Sequence, residues 1–136
     1  MRETDYVALG ATAVRICQDL IRIPSVNQGG GTGDELAVAS YVADFLTRCG
    51  LEPTLYQSAP TRVSVVARIK GRDSQKPGLV LHGHLDTVPA DAKDWEVDPW
   101  SGEIIDGEIW GRGAVDMKDM DAMILAIVED WQERKY

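Results

Sequence analysis

The amino-acid sequence predicts an α/β fold in which a partial mixed sheet is flanked by helices. Two segments with helical spacing of apolar residues come first, short β-rich segments follow, and a third helical segment ends the chain. The apolar run "LVLHG" (79–83) does not alternate with polar residues, which favours a strand buried on both faces in the centre of a sheet. This order of elements is typical of a sheet with helices on its faces.

The first helix is expected over residues 5–22, because Pro24 ends the helical pattern there. The second is expected over 34–49, with Asp34 and Glu35 in its first turn and Gly50 just past its end. The third is expected from about Lys118 to Trp131. The apolar residues of the three patterns are, in order, Val7, Val14, Cys17, Leu20 and Ile21; Leu36, Ala39, Val42, Leu46 and Cys49; and Met120, Met123, Ile124, Ile127, Val128 and Trp131.

Turn-forming residues separate the β-rich segments. The predicted order is a flexible glycine-rich loop (27–35), strands over 52–57 and 62–70, a turn over 71–78, the buried strand 79–83, a long acidic loop with Trp95 and Trp100 (87–101), and a hairpin over 103–110 that turns at Asp106-Gly107.

Size and charge exclude several classes of protein. The 136 residues suit one modest domain, and 44% hydrophobic with 26% charged residues is the balance of a globular chain. A net charge of −8 repels nucleic acid and anionic membrane surfaces, so neither is an expected partner. The first residues do not resemble a signal peptide and no apolar run approaches transmembrane length, so the expected location is the cytoplasm. Cys17 and Cys49 are expected to be buried, reduced thiols, because no Cys-x-x-Cys pattern accompanies them.

Two glycine-rich stretches do not carry nucleotide-binding chemistry. "GGGTGDE" lacks the Gly-Lys-Ser/Thr ending of a phosphate loop. "GRGAVD" (111–116) begins like a dinucleotide fingerprint, but Asp116 stands where the last glycine is needed and would face the pyrophosphate.

The two histidines of the chain, His82 and His84, lie beside Asp86 at the end of the apolar run. In an extended backbone, side chains two residues apart share a face, so these three can point the same way. Imidazole and carboxylate are good zinc ligands, and a carboxylate also orients a ligating histidine. For His82 the ordinary alternative is a hydrogen-bonded core histidine. For Asp116, just before the last helix, the ordinary alternative is a helix-capping residue.

Together, "GHLDTVPA" (83–90) and "DPWSGEIIDGEIWGRGAVDMK" (98–118) resemble the M20 family of zinc metallopeptidases, which includes aminoacylases, deacetylases, desuccinylases and carboxypeptidases. The resemblance implies two zinc ions, with cobalt or manganese as substitutes, and a substrate that is a small peptide or an N-acyl amino acid. It further implies that His84 ligates one zinc, that Asp116 bridges both, and that Asp86 is the catalytic-site aspartate that bonds the ligand histidine. A cis peptide after Asp116 is also implied, and His82 matches no functional position.

The sequence departs from the family pattern in two respects. Lys118-Asp119-Met120-Asp121 replaces the Lys-Gly-Gly that begins the last helix in many relatives. The family's Glu-Glu pair, its remaining ligands, its later strands and its small lid and dimerisation domain have no counterpart in residues 1–136. The chain is therefore expected to be the N-terminal portion of a catalytic domain of a homodimer-forming enzyme, inactive by itself. The alternative is a non-catalytic α/β module that binds metal weakly or associates with a partner.

Overall fold

The computed structural model describes residues 4–134 and confirms an α/β protein. Its helices are α1 (Tyr6–Ile21), α2 (Leu36–Arg48) and α3 (Lys118–Arg134). Its strands form three separate antiparallel pairs: β1 (Asn27–Gly29) with β2 (Thr32–Gly33), β3 (Thr54–Ala59) with β4 (Arg62–Val66), and β5 (Ile104–Ile105) with β6 (Glu108–Ile109). A short 3-10 helix covers Ala92–Asp94.

The core lies where the three helices meet. The Asp5 carboxylate starts α1 by accepting hydrogen bonds from the amides of Val7 and Ala8, at 3.1 and 3.0 Å. The buried residues of the cluster are Ile16, Cys17, Leu20, Ile21, Val38, Val42, Phe45, Leu46, Ala122, Leu125, Ala126 and Val128. Because α1 and α3 pack directly on each other, the end of α1 lies beside the start of α3.

The predicted helices are confirmed, but the faces they bury differ from the apolar patterns. Val7 is 85% exposed, and Val14, Leu36, Met120 and Met123 are also on the surface. In its first turn, α3 instead buries the polar side chains of Lys118 and Asp121. Helical spacing allows several faces, and contacts with the neighbouring helices decide which one is buried. Cys17 is buried as predicted, Cys49 is half-buried, and both are free thiols.

The prediction of a buried central strand at residues 79–83 is wrong. These residues form no strand in the structure, and Leu79 and Val80 are 76% and 83% exposed. A central strand needs neighbours for its backbone N–H and C=O groups and covers for both faces. Within residues 4–134, no strand pairs with this run.

Two loop predictions have different outcomes. The segment predicted as a flexible loop, 27–35, contains the short β1–β2 hairpin. The hairpin predicted over 103–110 is confirmed, with Asp106 at φ 52° and Gly107 at φ 86° between β5 and β6. Positive φ at both central residues is the requirement of a type I′ turn, which the Asp-Gly pair meets at low cost. Among residues 4–134, no helix combines the length and apolar character needed to cross a bilayer.

Candidate metal centre

His84 lies between two carboxylates. Its Nδ1 atom is 3.2 Å from Asp86 Oδ1 and 3.1 Å from the backbone carbonyl oxygen of Asp86. Its Nε2 atom is 2.9 Å from Asp116 Oδ1, 32 residues further along the chain. The structure therefore brings together His84, Asp86 and Asp116, the three site residues that the family resemblance implied.

This arrangement calls for a positive charge. A neutral imidazole carries one N–H, so it donates to one carboxylate only and presents a bare nitrogen to the other. Partial burial disfavours protonation, but the bond to Asp116, the bond to the Asp86 backbone and the two carboxylate charges together raise the pKa of His84. A second proton would let both nitrogens donate, and a metal ion bound by the bare nitrogen would take the place of that proton.

The segment around His84 is attached to the chain before β1. The Thr87 amide donates to Ser25 O at 2.9 Å, and the Asn27 amide donates to Thr87 O at 2.8 Å, in a parallel bridge. The buried Ser25 hydroxyl donates to Leu85 O at 2.6 Å. These bonds hold the backbone on both sides of Asp86, so the direction of its side chain is set.

Asp116 lies just before α3, within the turn that is closed by the hydrogen bond from the Lys118 amide to Gly113 O at 2.9 Å. The peptide bond between Asp116 and Met117 is cis, as the family resemblance implied. The side chain is 86% exposed and bonds across to His84. Within residues 4–134, this carboxylate bonds to His84 and makes no cap bond to the start of α3.

Lys118 anchors the start of α3 to the end of α1. Its side chain is fully buried, and its ammonium donates to Leu20 O at 2.7 Å and to Ile23 O at 2.9 Å. The Trp100 ring lies 6.0 Å from Nζ. Burial lowers the pKa of Lys118 to about 8, against the opposing effect of Asp121. Lys118 lies two residues after Asp116, so its bonds fix the start of the helix that follows this carboxylate.

Asp121 fills the space between α3 and Gly83. Its Oδ1 atom lies where a Cβ atom on Gly83 would stand, so no larger residue fits beside His84 without displacing this carboxyl. Its buried Oδ2 atom has no hydrogen-bond partner among the described residues. Burial raises the pKa of Asp121 to about 7, with Asp119 adding to the effect and the charges of His84 and Lys118 opposing it.

The substitution Asp121→Asn is expected to stabilise the metal-free chain above pH 7 relative to the original protein. The folded pKa of about 7 exceeds the ordinary value of 3.8, so the original protein loses stability as the pH rises from about 4 to 7. Asparagine does not ionise and lacks this loss. The gain should reach a few kcal/mol, since a tenfold change in proton affinity corresponds to about 1.4 kcal/mol.

Urea unfolding of the chain at several pH values, with a chelator present, measures this difference. The control is Asp106→Asn in the exposed β5–β6 turn, which removes the same charge from the surface. A difference that does not grow between pH 4 and 7, or that equals the control, would contradict a buried carboxyl at Asp121.

An open cleft of about 650 Å³ lies over the histidine. Its walls are the β1 segment, the loop that carries Asp86, and residues 111–116. Arg112 contributes to this lining, and its guanidinium carbon lies over the Trp95 ring, 5.0 Å from the ring centre. This volume lies in the range of about 300–1,000 Å³ that is usual for small-molecule sites.

The side chains of His84 and Asp116 are of the types that bind a divalent metal, but they are too few to complete its coordination. Imidazole nitrogen and carboxylate oxygen are ordinary zinc ligands, and His84 Nε2 and Asp116 Oδ1 already face each other. Zinc usually takes about four ligands, or three and a water. In the described part of the chain, no group of three or more His, Cys, Asp or Glu side chains is arranged to hold a metal.

Some residues at the site differ from the sequence-based expectation. His82 is exposed, so the interpretation as a buried core histidine is wrong, and it does not join the site. Asn27, which bonds to Asp86 at 2.7 Å, was not predicted, and neither were the inward positions of Lys118 and Asp121. For the last two, the one related signal in the sequence was the run Lys118-Asp119-Met120-Asp121, which stands where many relatives have Lys-Gly-Gly.

Comparison with known proteins gives consistent matches. Residues 80–136 match the sequence model of peptidase family M20/M25/M40. A succinyl-diaminopimelate desuccinylase of Methylobacterium radiotolerans is 37% identical over 127 residues, which cover 90% of this chain and 30% of that protein. A succinyl-diaminopimelate desuccinylase of Methylorubrum populi is 40% identical over 120 residues, which cover 85% of this chain and 29% of that protein. A probable succinyl-diaminopimelate desuccinylase of Staphylococcus epidermidis is 31% identical over 118 residues, which cover 85% of this chain and 27% of that protein. The chain thus spans about 30% of the length of the first of these relatives.

Proposed function

Because this chain belongs to peptidase family M20/M25/M40, we propose that the protein containing it is a metal-dependent hydrolase of amide bonds in peptides or N-acyl amino acids. The observation that carries the proposal is the contact of His84 Nε2 with Asp116 Oδ1 at 2.9 Å, while Nδ1 faces Asp86. Such a nitrogen, oriented by one carboxylate and facing another, suits a metal ligand.

The roles proposed for the residues are those that the family resemblance implies. His84 would bind one zinc ion through Nε2, and Asp116 would bridge that ion and a second one. Asp86 would accept a hydrogen bond from Nδ1–H of His84 and so leave Nε2 free as a ligand. When bound, the two ions supply Lewis acidity that polarises an amide carbonyl and stabilises the negative charge that develops on its oxygen.

The proposed substrate is an acylated amino acid that carries its own carboxylate, with an N-succinyl amino acid as the first candidate. Support comes from the names of the similar proteins, which are desuccinylases, and from the size of the cleft. A homodimer in the cytoplasm stays a prediction of the family resemblance and the composition.

The complete protein should release free amine from N-succinyl or N-acetyl amino acids. The activity should disappear with a chelator and return on addition of zinc, cobalt or manganese. Hydrolysis that a chelator leaves unchanged would contradict the metal requirement, and no hydrolysis with any of the three metals would contradict the proposed reaction.

For residues 1–136 alone we propose no turnover. Two metal donors without a general base do not complete the chemistry, and the described residues offer no third donor at the site. This favours the alternative of a weakly metal-binding module for the isolated piece. Turnover by residues 1–136 that depends on Asp86 would contradict this second proposal while supporting the first.

A further inference from the structure

Asn27 connects the β1 strand to the carboxylate that faces His84. Its side-chain Nδ2 atom donates a hydrogen bond to Asp86 Oδ2 at 2.7 Å. The other oxygen of that carboxylate, Oδ1, lies 3.2 Å from His84 Nδ1. Both oxygens of Asp86 are therefore engaged, one by the amide and one by the imidazole.

The orientation of the Asn27 amide is determined by a second bond. Its Oδ1 atom accepts a hydrogen bond from the Gly29 amide at 2.9 Å. A backbone N–H can only donate, so the oxygen must face Gly29 and the NH₂ group must face Asp86. The backbone amide of Asn27 also donates to Thr87 O at 2.8 Å, which fixes the distance between the two segments.

We propose that Asn27 is a positioning residue that commits Asp86 to the Nδ1 atom of His84 and thereby leaves Nε2 to face Asp116. Without the amide, the Asp86 carboxylate can rotate about its terminal bond or turn toward the metal, because its Oδ2 atom loses its donor. Carboxylates behind a ligating histidine set its tautomer and basicity. This inference rests on the proposed function, since it gives His84 the role of metal ligand.

The substitution Asn27→Asp separates this role from a purely structural one. Aspartate keeps the oxygen that accepts from Gly29, so the turn at the end of β1 is retained. It places a second oxygen against Asp86 Oδ2, where the donor stood, and two carboxylates repel each other there. Asn27→Ala removes both bonds, and Gln28→Ala changes the exposed neighbour in the same cleft as a matched control.

Two measurements test the proposal. In the complete protein, zinc affinity from competition with a chromophoric chelator should fall about 10–100-fold for Asn27→Asp and Asn27→Ala, and less than about 2-fold for Gln28→Ala. In the metal-free 136-residue chain, nitrogen-15 NMR of the imidazoles at alkaline pH should find the proton of His84 on Nδ1. In Asn27→Asp this proton should be distributed over both nitrogens. The two histidines are distinguished with His82→Ala.

Unchanged zinc affinity and an unchanged Nδ1 tautomer in Asn27→Asp would overturn the inference. So would a loss of affinity in Asn27→Ala alone, since that result assigns Asn27 only to the turn. If the complete protein binds no zinc, the proposed function fails, whereas the NMR result on the metal-free chain still decides whether Asn27 orients the Asp86–His84 pair.

Discussion

Replacing Lys118 with methionine is expected to lower the free energy of unfolding by about 1–3 kcal/mol near pH 10, where the folded amine is neutral and the cost of burying its charge no longer offsets its hydrogen bonds. The ammonium of this fully buried residue donates to Leu20 O and Ile23 O at the end of α1. The Leu20 oxygen keeps a bond from the Ile23 amide at 3.2 Å. The Ile23 oxygen loses the donor that Lys118 provides, and a buried acceptor left without a partner costs about 1–3 kcal/mol.

Denaturant unfolding of Lys118→Met, with Lys93→Met as control, measures this effect. Lys93 is exposed, and its ammonium lies 2.7 Å from the exposed Asp91 carboxylate, so its replacement should change stability by less than about 0.5 kcal/mol. Equal unfolding midpoints for the two variants would show that the anchor between α1 and α3 contributes nothing.

The pH dependence gives a second test of the same residue. The pKa of Lys118 in the folded chain, about 8, lies below the ordinary value of 10.5. Between these two values the unfolded state binds more protons, so the stability of the original protein should rise with pH from about 8 to 10. Lys118→Met should lack that rise, and an identical rise in the variant would contradict the burial of this amine.

Replacing His84 with alanine is expected to reduce the zinc affinity of the complete protein by about 100-fold or more. Structural zinc sites with four ligands gain about 10–16 kcal/mol, so one ligand accounts for roughly 3 kcal/mol. Replacing Asp86 with alanine should reduce the affinity about 10–100-fold, because it removes the partner of Nδ1 and not a ligand.

The matched control is His82→Ala, the same substitution two residues earlier on an exposed side chain outside the site. Its zinc affinity and its rate of amide hydrolysis should equal those of the original protein. Equal losses in His82→Ala and His84→Ala would contradict the assignment of His84 as the single histidine ligand of this segment. A larger loss in Asp86→Ala than in His84→Ala would exchange the roles of ligand and orienting group.

Local signals in the sequence were sufficient for the helices and turns. Pro24 and Gly50 mark where α1 and α2 can no longer continue, and Asp106-Gly107 supplies the two positive φ angles of the β5–β6 turn. The apolar spacing of α3 also predicted a helix, but not which face it buries. Burial is decided by the neighbours, and here they select Lys118 and Asp121 over Met120 and Met123.

The run 79–83 illustrates the opposite case. Its apolar composition is that of a central strand, which needs a neighbouring strand at each edge. Composition cannot supply those neighbouring strands. Residues 4–134 provide no such neighbour, so the run is exposed. A strand depends on distant segments for its hydrogen bonds, whereas a helix satisfies its own backbone.

By itself the sequence determined the α/β class, the three helices, the β5–β6 turn and the short list of His84, Asp86 and Asp116, because each depends on residues close in the chain or on a motif. Only the tertiary structure decided that His84 Nε2 meets Asp116 across 32 residues, that Asn27 holds Asp86, and that Lys118 and Asp121 lie beneath the site. These contacts join segments far apart in the chain. Their existence depends on how α1, α3 and the intervening loops pack, which no local pattern of residues records.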